Sequence, residues 1–244
     1  MPIDDLLVAS QSLKEHAGLR CMHPHFHSYA IRALEEINIG DASVNANALE
    51  YFAQAVLGRV DELDNSLASL YLAHGFIKEL SLHHDPRVDT YRYHYENFVF
   101  RGIGAVDRAY LLVAEALQLS KSARKNNVQI SKYAEQKPEV YAALEDVKAT
   151  FEPYRKPRNV IIHDSEYSNR ELGILAGARH FGVDCERFDI SALARESFAL
   201  KADEILKVLI HLAYTLRKLL STLQPVFESK VGNAEKAINR KHSK

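Results

Sequence analysis

The sequence predicts an all-α fold, a helical bundle of four main helices with additional short helices. Three observations lead there. Glycine and proline are sparse, at 10 and 7 of 244 residues. Apolar residues recur at steps of three and four over long stretches, the period of a helix with one buried face. The period-two alternation of half-buried strands is hard to find. Helices that each carry one apolar stripe bury it against one another, and that makes a bundle.

In chain order, residues 1–42 read as a helical extension, one or two small helices joined by a loop at His23-Pro24-His25. A long helix is expected over 43–82, with Leu49, Phe52, Val56, Val60, Leu63 and Leu67 on its inner face. Asp41 or Ser43 would cap it, and the turn His83-His84-Asp85-Pro86 would close it. The next helix covers 89–119, with Tyr95, Phe98, Val99, Val106, Tyr110 and Val113 inward. Gly102 and Gly104 weaken it locally; they either admit another helix at close range or are simply tolerated. Tyr91, Tyr93 and Tyr95 spread around the helix and are read as packing residues. Residues 120–137 form a polar connection in which Lys121, Arg124, Lys125, Lys132 and Lys137 face a single acid, Glu135. A helix from Pro138 to near Phe151 follows, and Pro153 and Pro157 then break or bend the chain. Short helices are expected over 157–162 and 173–181. The clearest stripe, Ile205, Leu209, Leu212, Leu216, Leu219, Leu220 and Leu223, defines a helix over 202–223 that ends or kinks at Pro225. The resulting division is an extension (1–42), a helical domain (43–230) and a polar basic tail (231–244) expected to fray.

The bulk composition narrows the function classes. With 47% hydrophobic and 26% charged residues, the chain can build a core without disulfide or metal staples. A net charge of −1 gives no global field for nucleic acid, so any such site has to be a local basic patch. Cys21 and Cys185 offer neither a disulfide framework nor a zinc spacing. The acidic N-terminus lacks a signal pattern and the apolar stretches are short of a bilayer span. A cytoplasmic protein without a membrane partner is expected.

Chemistry concentrates in Pro157-Arg158-Asn159-Val160-Ile161-Ile162-His163. Proline suits a helix start. At about 100° per residue, Asn159 and His163 share a face, while Arg158 lies about 140° round from His163 and reaches the same place by its length. Arginine offers a planar fork of donors for phosphate oxygens. Histidine exchanges protons near neutrality. The pattern suits a phosphodiester, with the ribose 2′-hydroxyl as nucleophile, His163 as general base or acid, and Arg158 stabilising the charged transition state. One histidine does not easily serve both proton transfers, so a two-fold dimer with two copies of the segment is expected. Arg155 and Lys156 beside it would guide an RNA backbone. Glu96 and Asp107, on the upstream helix, are candidate supports for Arg158 or His163. Three histidines in His23-Pro24-His25-Phe26-His27 have no evident fourth ligand. Neither a metal nor another cofactor is expected.

The Arg-x4-His pattern with a polar residue directly after the arginine resembles the motif of the HEPN superfamily. Tyr93-His94-Tyr95-Glu96-Asn97-Phe98 with Asp107 further along the helix, and the long helix 202–223, are similar to the motif's surroundings in such proteins. The resemblance spans residues 43–225. It implies a HEPN-like helical bundle, a homodimer with motifs facing across a cleft, and metal-independent endoribonuclease activity in a toxin–antitoxin or antiviral defence setting, with an antitoxin or defence partner. Some toxin members carry a tyrosine two residues after the histidine; here Ser165 stands there and Tyr167 follows. Two further readings stay open: a non-catalytic module binding RNA, a nucleotide or a protein, and a structural helical protein.

Overall fold

In a computed structural model, residues 11–38, 44–164, 170–182 and 188–242 are described. Among them every α-helix or 3-10 turn is helical structure and no strand occurs. The α-helices are α1 (His23–Asn38), α2 (Ala48–Leu80), α3 (Val88–Ala116), α4 (Asn127–Ala134), α5 (Pro138–Phe151), α6 (Arg155–Asp164), α7 (Arg170–His180) and α8 (Ile190–His242). The chain divides into two compact units. Unit one holds the described residues of 1–65, 107–147 and 214–244; unit two holds those of 66–106 and 148–213.

In unit one the start of α2 shows why the helix begins where it does. Asn47 accepts from the N–H groups of Leu49 and Glu50, and Glu50 reaches back to the Asn47 N–H at 2.9 Å. This reciprocal cap satisfies N–H groups that have no partner inside the helix. Asp41 and Ser43, the expected caps, lie outside the described residues, and α2 starts at Ala48 instead. The Glu50 carboxylate is 3% exposed and also accepts from Ser28 and Arg32, so α1 is tied to α2 through it. Burial pushes the Glu50 carboxyl up, but these donors outweigh it and hold the group below its ordinary range. The core of this unit includes Leu63, Leu112, Leu144, Leu216 and Phe227.

Three expectations are corrected here. His23-Pro24-His25 opens α1 rather than forming a loop, because the first-turn N–H that proline lacks has no helical partner anyway. Part of the 120–137 connection is helical: Asn126 accepts from the Gln129 N–H and caps α4, which buries Ile130 and Ala134. Of the two outcomes expected at Pro225, an end or a kink, the end is excluded, because the proline lies inside α8. The apolar stripe continues through Val226, Phe227 and Val231, all buried, while Pro225 itself lies on the exposed side. Tertiary burial outweighs the missing hydrogen bond, and water can serve the carbonyl left without a donor. α8 continues to His242.

Unit two is organised by aromatic rings. Tyr91 stacks on Phe198 with centroids 4.2 Å apart, and Phe98 meets both Phe151 (5.5 Å) and Tyr154 (5.2 Å, edge-on). Of the three alternating tyrosines, Tyr91 and Tyr95 are buried and Tyr93 is exposed, as helical spacing dictates. Gly102 settles one alternative left open by the sequence: a Cβ there would lie 1.8 Å from the Phe151 ring, so the glycine is what lets Phe151 pack on α3. The turn between α2 and α3 is held by two guanidinium groups. Arg179 donates to the Pro86 carbonyl and pairs with Asp85, and Arg195 donates to the His84 carbonyl at 2.9 Å.

Candidate functional site

The segment singled out in the sequence lies on α6, in unit two. Its placement begins with Phe151 and Tyr154. Phe151 is 1% exposed at the end of α5, and the chain then tightens into a 3-10 turn, Glu152–Tyr154, containing Pro153. Tyr154 is buried edge-on against Phe98, and its hydroxyl donates to Glu204 Oε1 at 3.1 Å. The ring and the hydroxyl fix the residue immediately before α6 from two directions. Pro157 falls in the first turn of α6, two residues later than the helix start, where its lack of an N–H costs nothing. Ile161 anchors the helix and is 8% exposed, whereas Ile162 is 45% exposed.

Arg158 is half-buried and its Nη1 donates to Asn159 Oδ1 at 3.2 Å. The asparagine therefore orients the arginine, a pairing of adjacent residues that helical wheel spacing does not reveal. His163 lies on the same helix, one turn beyond Asn159. Arg155 is engaged by Glu152 at 2.8 Å, and Lys156 is exposed next to it. Glu96 sits half-buried on α3 within unit two. Asp107 belongs to unit one, where it accepts from Asn127 Nδ2 at 2.8 Å. Ser165 and Tyr167 lie outside the described residues. On α1, His23 and His27 share a face and His25 lies about 200° from each; His25 instead approaches Glu235 at 3.7 Å. Among the described residues no group of three or more His, Cys, Asp or Glu is placed to hold a metal ion.

Sequence reasoning named the motif but missed what holds it. Tyr154, Phe151, Gly102 and Glu204 carry no functional pattern of their own. The one legible hint was Phe151 and Tyr154 at a spacing of three just ahead of the motif. His94 stands within the upstream pattern of residues 93–98. Its ring stacks on Phe76 at 4.4 Å, its Nδ1 is buried without a hydrogen-bond partner, and burial pushes its pKa down.

An all-helical chain with an arginine oriented by its neighbour, one helical turn and a residue before a histidine, fits a defined class of helical domains. The chain matches the family described as HEPN_Cthe2314-like HEPN over residues 37–212. That is well over half of its length, and the protein belongs to this HEPN family. No curated protein and no solved structure matches the chain. No helix among the described residues is long and apolar enough to cross a membrane.

Proposed function

We propose that this protein is a metal-independent endoribonuclease whose site is assembled from two copies of α6 in a homodimer. The observation that carries the reading is the Arg158–Asn159 pairing at the head of a helix anchored by Tyr154, in a chain of the HEPN family. A guanidinium held by a side-chain oxygen is pre-organised for phosphate, which reduces the ordering needed when substrate binds. His163 of one copy takes the proton of the ribose 2′-hydroxyl, and the oxygen attacks the adjacent phosphorus. The bond to the 5′ oxygen breaks, and the partner's His163 protonates that leaving oxygen. The products are a 2′,3′-cyclic phosphate and a 5′-hydroxyl end. Arg158 stabilises the charge on the phosphorus oxygens, while Arg155 and Lys156 act on the flanking backbone. Ile162, exposed beside His163 in sequence, gives a second copy an apolar surface to cover. A cytoplasmic setting with an antitoxin or defence partner belongs to the same proposal.

The test is cleavage of single-stranded RNA by purified protein in excess chelator, with His163→Ala and Arg158→Ala as controls. The reading requires cyclic-phosphate products from the wild type and loss of them in both variants. Equal cleavage by wild type and His163→Ala would end it, as would a strict metal requirement. Binding that weakens with Arg158→Ala while no product forms would favour the non-catalytic module.

A further inference from the structure

Two adjoining cavities open on unit one, far along the sequence from the motif. One, of about 440 Å³, is bordered by Leu117, Leu119, Lys137, Pro225 and Lys230; the other, of about 500 Å³, by Ser122, Gln129 and Lys132. Tyr133 and Gln136 border both, so the two form one groove divided by α4 side chains. The charges along this groove are of one sign. Among the described residues, Lys132, Lys137 and Lys230 line it and no aspartate or glutamate does. The cavity between α3 and α7 is different: Arg87 and Arg179 there are set against Asp85 and Asp89.

The lysines are also free to act on a ligand. Lys230 donates to the neutral Gln118 side chain at 2.8 Å, so its charge is not cancelled. Lys132 and Lys137 are exposed and pair with no carboxylate among the described residues. Of the acids close to these lysines in sequence, Glu135 and Glu139 are exposed but border neither cavity among the described residues. Glu115 is taken by Arg59 and Arg124, and Glu228 accepts from Gln224 at 2.8 Å. Tyr133 is 45% exposed at the middle of the groove, with Gln129 and Gln136 offering amide donors beside it.

We infer that this groove is a binding track for single-stranded RNA, separate from the Arg158/His163 site. The inference rests on the endoribonuclease reading for its choice of RNA among polyanions. A lysine on either side of an exposed aromatic ring meets the two needs of an unpaired strand: phosphates are neutralised and a base stacks on the ring. Because the whole chain is near neutral, at −1, this local patch and not the overall field draws the strand in.

The experiment measures binding of a fluorescent 20-nucleotide single-stranded RNA by anisotropy, over a salt series, in the His163→Ala background so that the probe stays intact. Replacing Lys132, Lys137 and Lys230 together by glutamine is expected to flatten the salt slope by about 2, and to weaken binding roughly 100-fold at 0.1 M salt. Tyr133→Ala is expected to weaken it about five-fold or more with the slope unchanged. Circular dichroism of each variant checks that the helices are intact. Cleavage of a dinucleotide by the triple variant with His163 restored should match wild type, since that substrate needs no track. Unchanged RNA binding in the triple variant overturns the inference, as does equal competition by polyglutamate and polyuridylate. Lysine-dependent binding without cleavage by any form keeps the track and removes the endoribonuclease reading. Cleavage with lysine-independent binding does the reverse, and a wild type that binds no RNA removes both.

Discussion

Replacing Gly102 by alanine tests how α6 is held. In an ordinary helix interior the change would stabilise by about 1 kcal/mol, because glycine loses more backbone freedom on folding. Here the added Cβ would lie 1.8 Å from the Phe151 ring. Carbon atoms rest at about 3.5–4.0 Å, so the ring has to retreat by roughly 2 Å. It has little room, being 1% exposed and packed on Phe98 and Tyr154. Overpacking of this kind costs about 1–3 kcal/mol, and the upper end applies because a rigid ring rather than a flexible chain end is displaced. The propensity gain offsets part of it, leaving a net loss of about 1–2 kcal/mol. Chemical denaturation followed by circular dichroism measures this directly. Combining Gly102→Ala with Phe151→Leu should recover part of the loss, since the two sites are coupled through one contact. A Gly102→Ala protein as stable as wild type, or more so, would refute the claim that this glycine exists to seat Phe151.

Three further outcomes are expected. Tyr154→Phe removes only the hydroxyl bonded to Glu204 and should cost about 0.5–1.5 kcal/mol while leaving the ring packing and the helix content intact; a stability equal to wild type would show that the bond does not anchor α6. The Glu50 carboxyl is held below its ordinary range, so its contribution is fully present above the unfolded pKa of about 4.3 and is lost as pH falls through the lower folded value. Thermal melts from pH 7 to pH 3 should therefore show a steeper acid loss for wild type than for Glu50→Gln, and parallel curves would contradict the assignment. Gln118, two residues beyond the end of α3, has φ of 54°, a left-handed conformation that disfavours side chains; Gln118→Gly should raise stability by about 1 kcal/mol, whereas a lower melting temperature would mean the Lys230 bond outweighs the backbone relief.

What the sequence made legible follows from the range of the forces involved. α5 could be read from Pro138 to Phe151 because its proline start and apolar spacing are local. The stripe through Leu209, Leu216 and Leu223 was readable for the same reason. Asn47 was legible too, as the first residue of Asn47-Ala48-Leu49-Glu50, a reciprocal capping pattern that competes with the polar residues Asp41 and Ser43 upstream. Pro225 misled because its local cost is real and only the burial of Phe227 and Val231 on the far side reverses the outcome. Within the candidate site, Arg158 and Asn159 stood out as residue types suited to phosphate, but their bond to each other depends on rotamers. The Tyr154 anchor joins residues 50 apart, and nothing in either neighbourhood points to the other.

The two arginines that hold the turn between α2 and α3 contact main-chain carbonyls, at His84 and Pro86. A carbonyl is present whatever residue supplies it. The latch therefore reads the path of the chain and is blind to the side chains of the two residues it grips. Substitution can drift at position 84 without loosening the turn, while Arg179 and Arg195, which bring the donors, bear the constraint. Within the loop only Asp85, the side chain that pairs with Arg179, shares that constraint.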